Sequence, residues 1–589
     1  MSARIIGRIV LGIFICTALA LPGVGAAGIG ARAGRNIPRG GDPGSLLKCS
    51  PRLQRLLASS DSGDTVAVWI FLSDRGGAEK VGRDPCLSPR SASRRLLRGG
   101  AETDEHDLPV NRGYIDSLRS RVVRLRHVSR YFNAVSADVD SRWIGALCAC
   151  DFVRSLDRIA SGGSPAPPID YQTDPYSSAQ GSEDYQIDYG ASYDQLNQIG
   201  TIELLEEGYN GSGAVSGQSP VLIAILDTGF KIEHEALADV QIEAQWDFVQ
   251  GDSVVSNQDG DASDQDYHGT TVLGIIAGHA EGSLIGPAWG ARYLLAKTEI
   301  VTVEEPIEED HWIAGIEWAD SAGADIVTSS LGYSNWYTNE ELNGDSALCT
   351  VAADIAVSHG IVVVNSAGNR GAAGLVAPAD GDSVLAIGAV DASGTIAYFS
   401  SRGPTADGRI KPDFTARGVK ALSVSYSDLS AYGLYSGTSY AAPITAGMCA
   451  LLLEAHPEWN AIELRDALRA TSSKSASPDN TYGWGIPNAA LASEYEGSFT
   501  QTAGAFPNPF NRETNVMLSL ASLAPMTVRV YDCRGIAIRT LAKGRPAQQS
   551  FTLTWDGRND RGERSASGVY FLRIESPGLS KTVKVILLR

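Results

Sequence analysis

At 589 residues the chain is too long for one hydrophobic core, and three or four domains of about 100–200 residues are expected. Its composition is ordinary globular, 43% hydrophobic and 20% charged, which excludes a collagen-like or low-complexity chain. The net charge of −19 argues against nucleic acid as a partner.

That charge is unevenly spread. Residues 1–160 hold 24 Lys and Arg against 15 Asp and Glu, which leaves 25 against 53 for residues 161–589. A basic front piece and a strongly acidic body are expected to attract each other, as a chaperone-like or inhibitory prosegment would attract its enzyme.

In chain order, Arg4 and Arg8 precede the apolar stretch IVLGIFICTALAL and the small-residue run GVGAAG, the layout of a cleaved secretory signal over 1–27. The apolar stretch is shorter than the about 20 residues that an uncleaved membrane anchor requires. The expected product is exported, extracellular or at the cell surface. DTVAVWIFL (64–72) reads as a strand, VNRGYIDSLRSRVVRLRHV as a helix with an arginine face, and FNAVSADV, DSRWIGALCAC and FVRSLDRI as strand, helix and strand. These make a small α+β unit over 60–160. A polar Pro/Gly/Ser/Tyr-rich linker follows over 161–194.

From 195 to 495, buried-strand runs alternate with helical spacing. PVLIAILD (220–227), ADIVTSSLG (324–332), GIVVVNSAGN (360–369) and SVLAIGAV (383–390) are separated by TTVLGIIAGHA, HWIAGIEWADSAG and CTVAADIAVSHG. The expected fold class is α/β, a doubly wound and mostly parallel sheet whose sites form at the carboxyl ends of the strands. After FPNPFN, the strands MTVRVYD, SFTLTWDGRND and GVYFLRI predict a β-sandwich over 503–589. The eight cysteines are scattered and form no disulfide framework in a chain this long, and CAC at 148–150 lacks the second pair a zinc site would want, so its two cysteines read as small buried apolar residues.

Four polar groups sit at element ends within the α/β segment. Asp227 ends a strand, His268 opens a helix, Asn369 ends a strand, and Ser439 opens the helix of SGTSYAAPITAG. An isolated SGTS reads first as a helix cap. Together, however, the four supply what acyl transfer needs: a hydroxyl, an imidazole to take its proton, a carboxylate to orient the imidazole, and a donor for the oxyanion. Gly437 is expected to leave room beside Ser439, and Pro443 to restrict the turn that aims it.

The segment resembles the subtilisin-like serine proteases through ILDTG, HGT, SSLG, SAGN, FSSRGPT and SGTSYAAP. The resemblance implies Ser439 as nucleophile, His268 as general base and acid, Asp227 as its orienter, and Asn369 with the Ser439 N–H as oxyanion hole. It also implies Ser330, Leu331 and Gly332 as an edge that pairs with extended substrate. Two departures stand out. HGTTVLG replaces HGTHVAG, placing Thr271 and Leu273 where a second His and an Ala are common, and residues 416–418 read ARG where APG is usual. The front unit resembles the propeptides of the same family, and the tail resembles the C-terminal sorting domains of exported proteins, with a hook-capping-protein-like fold.

The implied activity is a secreted serine endopeptidase made as a propeptide-inhibited zymogen. Its expected partners are protein or peptide substrates, its own propeptide and, through the tail, a secretion machinery; the chain is expected to be a monomer. The rival reading is an inactive, protease-like binding or adhesion protein. The chemistry needs no cofactor and no catalytic metal. A structural calcium is weighed at NQDGDASDQD through Asp259, Asp261 and Asp264, against a solvated acidic turn. The DTG at 227–229 is also an aspartic-protease signature, but the second such motif, DSG at 61–63, follows no buried strand.

Overall fold

The computed structural model describes residues 46–59, 63–76, 87–159, 174–175, 185–495 and, with short breaks, 502–588. The expected leader over 1–27 and most of the linker over 161–194 lie outside the described residues.

Leu222–Asp227, Val362–Ser366 and Leu385–Val390 are buried at every position, as strands covered on both faces must be. They belong to a seven-stranded sheet. Its spatial order is Phe414–Arg417, Leu385–Val390, Val362–Ser366, Ile326–Ser329, Leu222–Asp227, Arg292–Lys297 and Gln241–Asp247, with every neighbouring pair parallel. The chain lays down Leu222–Asp227 first, builds two strands on one side of it, then returns and adds four on the other. The topological switch point is therefore beside Asp227, and the crevice outside the strand ends there is where an open α/β sheet forms its site.

Helices Tyr267–Ala277, Ile307–Ala322, Leu348–Ser358 and Thr438–Ala455 cover the sheet. Thr438–Ala455 is buried from Thr438 to Glu454, which accounts for its sequence being apolar all round. The edge strand Gln241–Asp247 is exposed or half-buried at every residue before Asp247 and lacks an apolar run, so composition gave it no strand signal.

The front unit is a four-stranded antiparallel sheet in the order Arg124–Ser129, Ala134–Asp140, Thr65–Leu72, Val153–Arg158. Here the expected long arginine-faced helix is corrected. The helix covers only Arg112–Arg119, and Arg124–Ser129 is a strand. Antiparallel pairing with Ala134–Asp140 and packing on helix Ile307–Ala322 override the helical spacing. Arg126 then turns inward onto Asp310 at 2.9 Å, while Arg124 stays exposed.

The front unit meets the body through charge. Helix Pro89–Leu97 and its cap residue Arg98 bring Arg94, Arg95 and Arg98 into the interface. Arg94 donates to the Ala324 and His359 carbonyls at 2.6 and 3.2 Å, and Arg98 to the Gly360 carbonyl at 2.7 Å. These carbonyls lie just past the ends of helices Ile307–Ala322 and Leu348–Ser358, where cations are favoured. Arg94, Arg95 and Arg130 converge on the buried Asp320, and Arg90 and Arg98 on Asp325. The charge asymmetry of the sequence therefore appears as specific buried pairs.

Two further sheets make the tail. Thr502–Phe506, Thr514–Ser519 and Ser550–Trp555 form one, and Ala537–Gly544, Met526–Asp532, Gly568–Ser576 and Leu579–Leu587 the other. Phe510, Val516, Val528, Trp555 and Leu572 lie in the core between them, a β-sandwich.

Candidate active site

Asp227 closes its strand fully buried, and its Oδ1 accepts both the Thr228 N–H and His268 Nδ1, each at 2.7 Å. His268 is the second residue of helix Tyr267–Ala277. The helix comes this close to the strand because the next residue is Gly269, where a Cβ would stand 2.2 Å from the Gly229 carbonyl oxygen. With Nδ1 held by a carboxylate, the imidazole tautomer is set and Nε2 is left for another partner. Burial pushes the His268 pKa down, but the charge and hydrogen bond of Asp227 outweigh it and the pKa is raised above the usual value.

Gly437 is the cap residue immediately before the helix that carries Ser439. A Cβ on Gly437 would lie 3.6 Å from the Tyr440 ring and 3.7 Å from Asn369 Nδ2, so room is not the constraint expected from the sequence. The backbone is: φ is 157° and ψ 155°, a region reserved for glycine. Gly418, last residue of the divergent ARG, anchors this corner by accepting the Gly437 N–H at 2.8 Å.

Ser439 does not behave as a cap. Its Oγ donates to the Ser330 carbonyl at 3.2 Å, and Ser330 Oγ donates to the Ser439 carbonyl at 2.7 Å. Pro443, four residues on, has no N–H to offer that carbonyl, and Ser330 takes the vacant role. The helix start is capped from outside: Asn369 Oδ1 accepts the Thr438 N–H at 2.9 Å and Thr438 Oγ1 at 3.0 Å. This fixes the Asn369 amide with its NH₂ toward the Gly437–Tyr440 corner. The Ser439 N–H lies in the first turn, where a helix has no internal acceptor.

Asp227, His268, Asn369, Ser330 and Ser439 are thus brought to one rim. His268 reaches Ser439's neighbourhood through Tyr440, its ring centroid 6.0 Å from the tyrosine's. Beyond Ser330, the Leu331 carbonyl accepts from Asn365 at 3.0 Å, Tyr333 pairs with Ala377, and Gly332 has no space for a side chain, since a Cβ would meet Val376 at 2.2 Å. Asn365 was not singled out from the sequence. It stands inside a quoted run, but an internal hydrogen bond leaves no mark in composition. Thr271, where a second His is common, is fully buried and donates to the His268 carbonyl at 2.8 Å.

The calcium weighed at 257–266 meets a competing cation. Lys297 Nζ sits 2.9 Å from Asp247 and 2.7 Å from Asp261, while Asp259 and Asp264 are exposed. The three carboxylates do not converge, and the inward one is already neutralised. Asp107, Asp320 and His359 lie close enough to hold a metal, but Arg95, Arg130 and Tyr131 already donate to these carboxylates. That donor set fits guanidinium, not a metal ion. Among the described residues no helix is long and apolar enough to cross a membrane.

Three segments match family models: residues 218–485 the Subtilase family, 67–168 the Peptidase S8 propeptide domain of Bacteroidota, and 509–578 the FlgD Ig-like domain. A subtilisin of Bacillus pumilus is 34% identical over 304 residues, covering 51% of this chain and 98% of that protein. Subtilisin E of Bacillus subtilis is 33% identical over 305 residues, 51% of this chain and 70% of that protein. Fervidolysin of Fervidobacterium pennivorans, a keratinolytic enzyme related to subtilisin, shares the fold with a TM-score of 0.50 at 21% identity, covering 87% of this chain and 71% of that one.

Proposed function

From a chain that belongs to the subtilase family of serine endopeptidases and carries its propeptide domain, we propose a secreted zymogen that hydrolyses peptide bonds through an acyl-enzyme on Ser439. The observation that carries this reading is the convergence on residues 437–440 of His268, held by Asp227 at 2.7 Å, of Asn369 and of Ser330.

In the proposed reaction Ser439 Oγ leaves its bond to the Ser330 carbonyl and attacks the scissile carbonyl carbon as His268 Nε2 takes its proton. Asp227 stabilises the imidazolium. The oxyanion receives Asn369 Nδ2–H and the Ser439 N–H, aided by the positive end of helix Thr438–Ala455. His268 then protonates the leaving amine, and water, deprotonated by the same imidazole, releases the acid and restores the serine. Residues 330–332 bind extended substrate beside Ser439. The propeptide domain blocks the enzyme until it is cut away in 160–195, and the tail engages an export or surface-attachment machinery.

A fluorophosphonate probe tests the chemistry. Covalent label on the processed protein, absent from Ser439→Ala, is expected. Equal label on both, or none on the wild type with no peptidase activity, would leave a binding protein on a protease scaffold.

A further inference from the structure

The mechanism uses no thiol, yet two cysteines of the propeptide domain face each other. Cys49 Sγ and Cys148 Sγ lie 3.4 Å apart, both buried. Their backbones are pinned from opposite sides. Ser50 N donates to the Leu156 carbonyl and Leu156 N to the Lys48 carbonyl, each at 2.8 Å, which fixes Cys49 against strand Val153–Arg158. Cys148 is the last residue of helix Ile144–Cys148. Leu53, Leu147 and Leu156 share the surrounding core. The third cysteine nearby, Cys150, is half-buried and engages the Ala146 carbonyl.

We propose that Cys49 and Cys148 are a disulfide site, oxidised by a small-molecule or protein disulfide, that locks the folded propeptide domain. The Cys148 thiolate attacks one sulfur of the oxidant and displaces the other as a thiolate. The Cys49 thiolate then attacks the Cys148 sulfur of the mixed disulfide and expels the second. The oxidant is reduced to two thiols, taking up the two protons that the cysteines lose. The Cys49 S–H and the charge of Lys48 lower the Cys148 thiol pKa against the effect of burial, while the hydrogen bond to Cys148 and burial raise that of the Cys49 thiol. Cys148 therefore attacks first, and Cys49 loses its proton only once Cys148 is held in the mixed disulfide.

The bond would close a loop with its ends 99 positions apart, and closure of a long loop acts mainly on the unfolded chain. That matters for latency, because the groups gripping the body, Arg126, Ser129, Arg130, Tyr131 and Ser136, are aligned only while the propeptide sheet is folded. The proposal rests on the reading of the chain as an exported zymogen.

The full chain bearing Ser439→Ala would be reduced, exposed to glutathione disulfide, alkylated and mapped. Expected are linked peptides containing Cys49 and Cys148, an intact mass lower by two hydrogens, and a folding equilibrium of the propeptide domain shifted toward the folded state by about 30-fold or more. The shift should vanish in the Cys49→Ser, Cys148→Ser pair and persist in Cys150→Ser. Alkylation of both thiols in the oxidised, urea-unfolded chain, or a link through Cys150 in place of Cys148, would overturn the proposal. Mapping the protein harvested from its own cells tests export separately: a link formed in vitro but absent there counts against export and not against the site.

Discussion

Ser330 and Ser439 exchange hydrogen bonds across the switch point of the sheet, each hydroxyl donating to the other residue's carbonyl. The Ser439 carbonyl is open to Ser330 because Pro443 leaves it without its helical donor. Ser330→Ala should therefore orphan a buried acceptor, at a cost of about 1–3 kcal/mol, whereas Pro443→Ala returns an N–H to the same carbonyl. Urea unfolding in the Ser439→Ala background should show the double variant less destabilised than the sum of the singles. Strict additivity would mean that the two do not serve one carbonyl.

Asn369 has two separable duties. Its Oδ1 caps Thr438, and its Nδ2 is proposed to receive the oxyanion. Asn369→Asp keeps the cap and loses the donor. We expect kcat to fall by about 10²–10³-fold, the size known for such a donor in subtilisin itself, with KM and melting temperature close to wild type. An equal loss of stability and activity would mean that the cap alone matters.

A base must be neutral, and Asp227 raises the His268 pKa. The rate should therefore climb with pH through an apparent pKa above ~6.5. Asp227→Asn should move that limb to lower pH and reduce kcat by up to about 10⁴-fold. A limb that stays in place would remove Asp227 from the role given it here.

His359 bridges the domains. Its Nε2 meets Asp104 of the propeptide domain and its Nδ1 meets Asp320 of the body, each at 2.9 Å. Burial and Arg95 oppose its charge, but the two carboxylates prevail and its pKa is raised. A raised pKa gives stability that is complete below the unfolded value of ~6.5 and is lost as pH rises through the folded value. Retention of the cleaved propeptide on the Ser439→Ala body should therefore weaken toward alkaline pH, and His359→Gln should flatten that dependence. A wild-type profile that is flat above neutrality would contradict this.

Asp320 collects Arg94, Arg95, Arg130, Tyr131 and His359 in one buried site. Replacing one member of such a cluster strands the others, so Asp320→Ala should cost about 3–5 kcal/mol. The cost should appear as faster loss of the propeptide, read by size-exclusion chromatography of the cleaved Ser439→Ala complex.

What the sequence determined by itself was whatever short-range chemistry encodes. The apolar runs at 222–227, 362–366 and 385–390 specify strands covered on both faces, and the groups of the proposed acyl transfer stand at or just past two strand ends (Asp227, Asn369) and at two helix starts (His268, Ser439). The stretch 120–130 misled because its spacing suits a helix, while partners far along the chain pair it as a strand. Likewise, the sequence carried a net excess of arginine in front and of carboxylate behind, but not that Arg94 meets Asp320, nor that Lys297 stands between Asp247 and Asp261. Only the tertiary structure decided these, along with the help Ser330 gives to a carbonyl freed by Pro443. Such contacts join residues tens to hundreds of positions apart, and their geometry follows from the crossing order of the sheet, which no local pattern records.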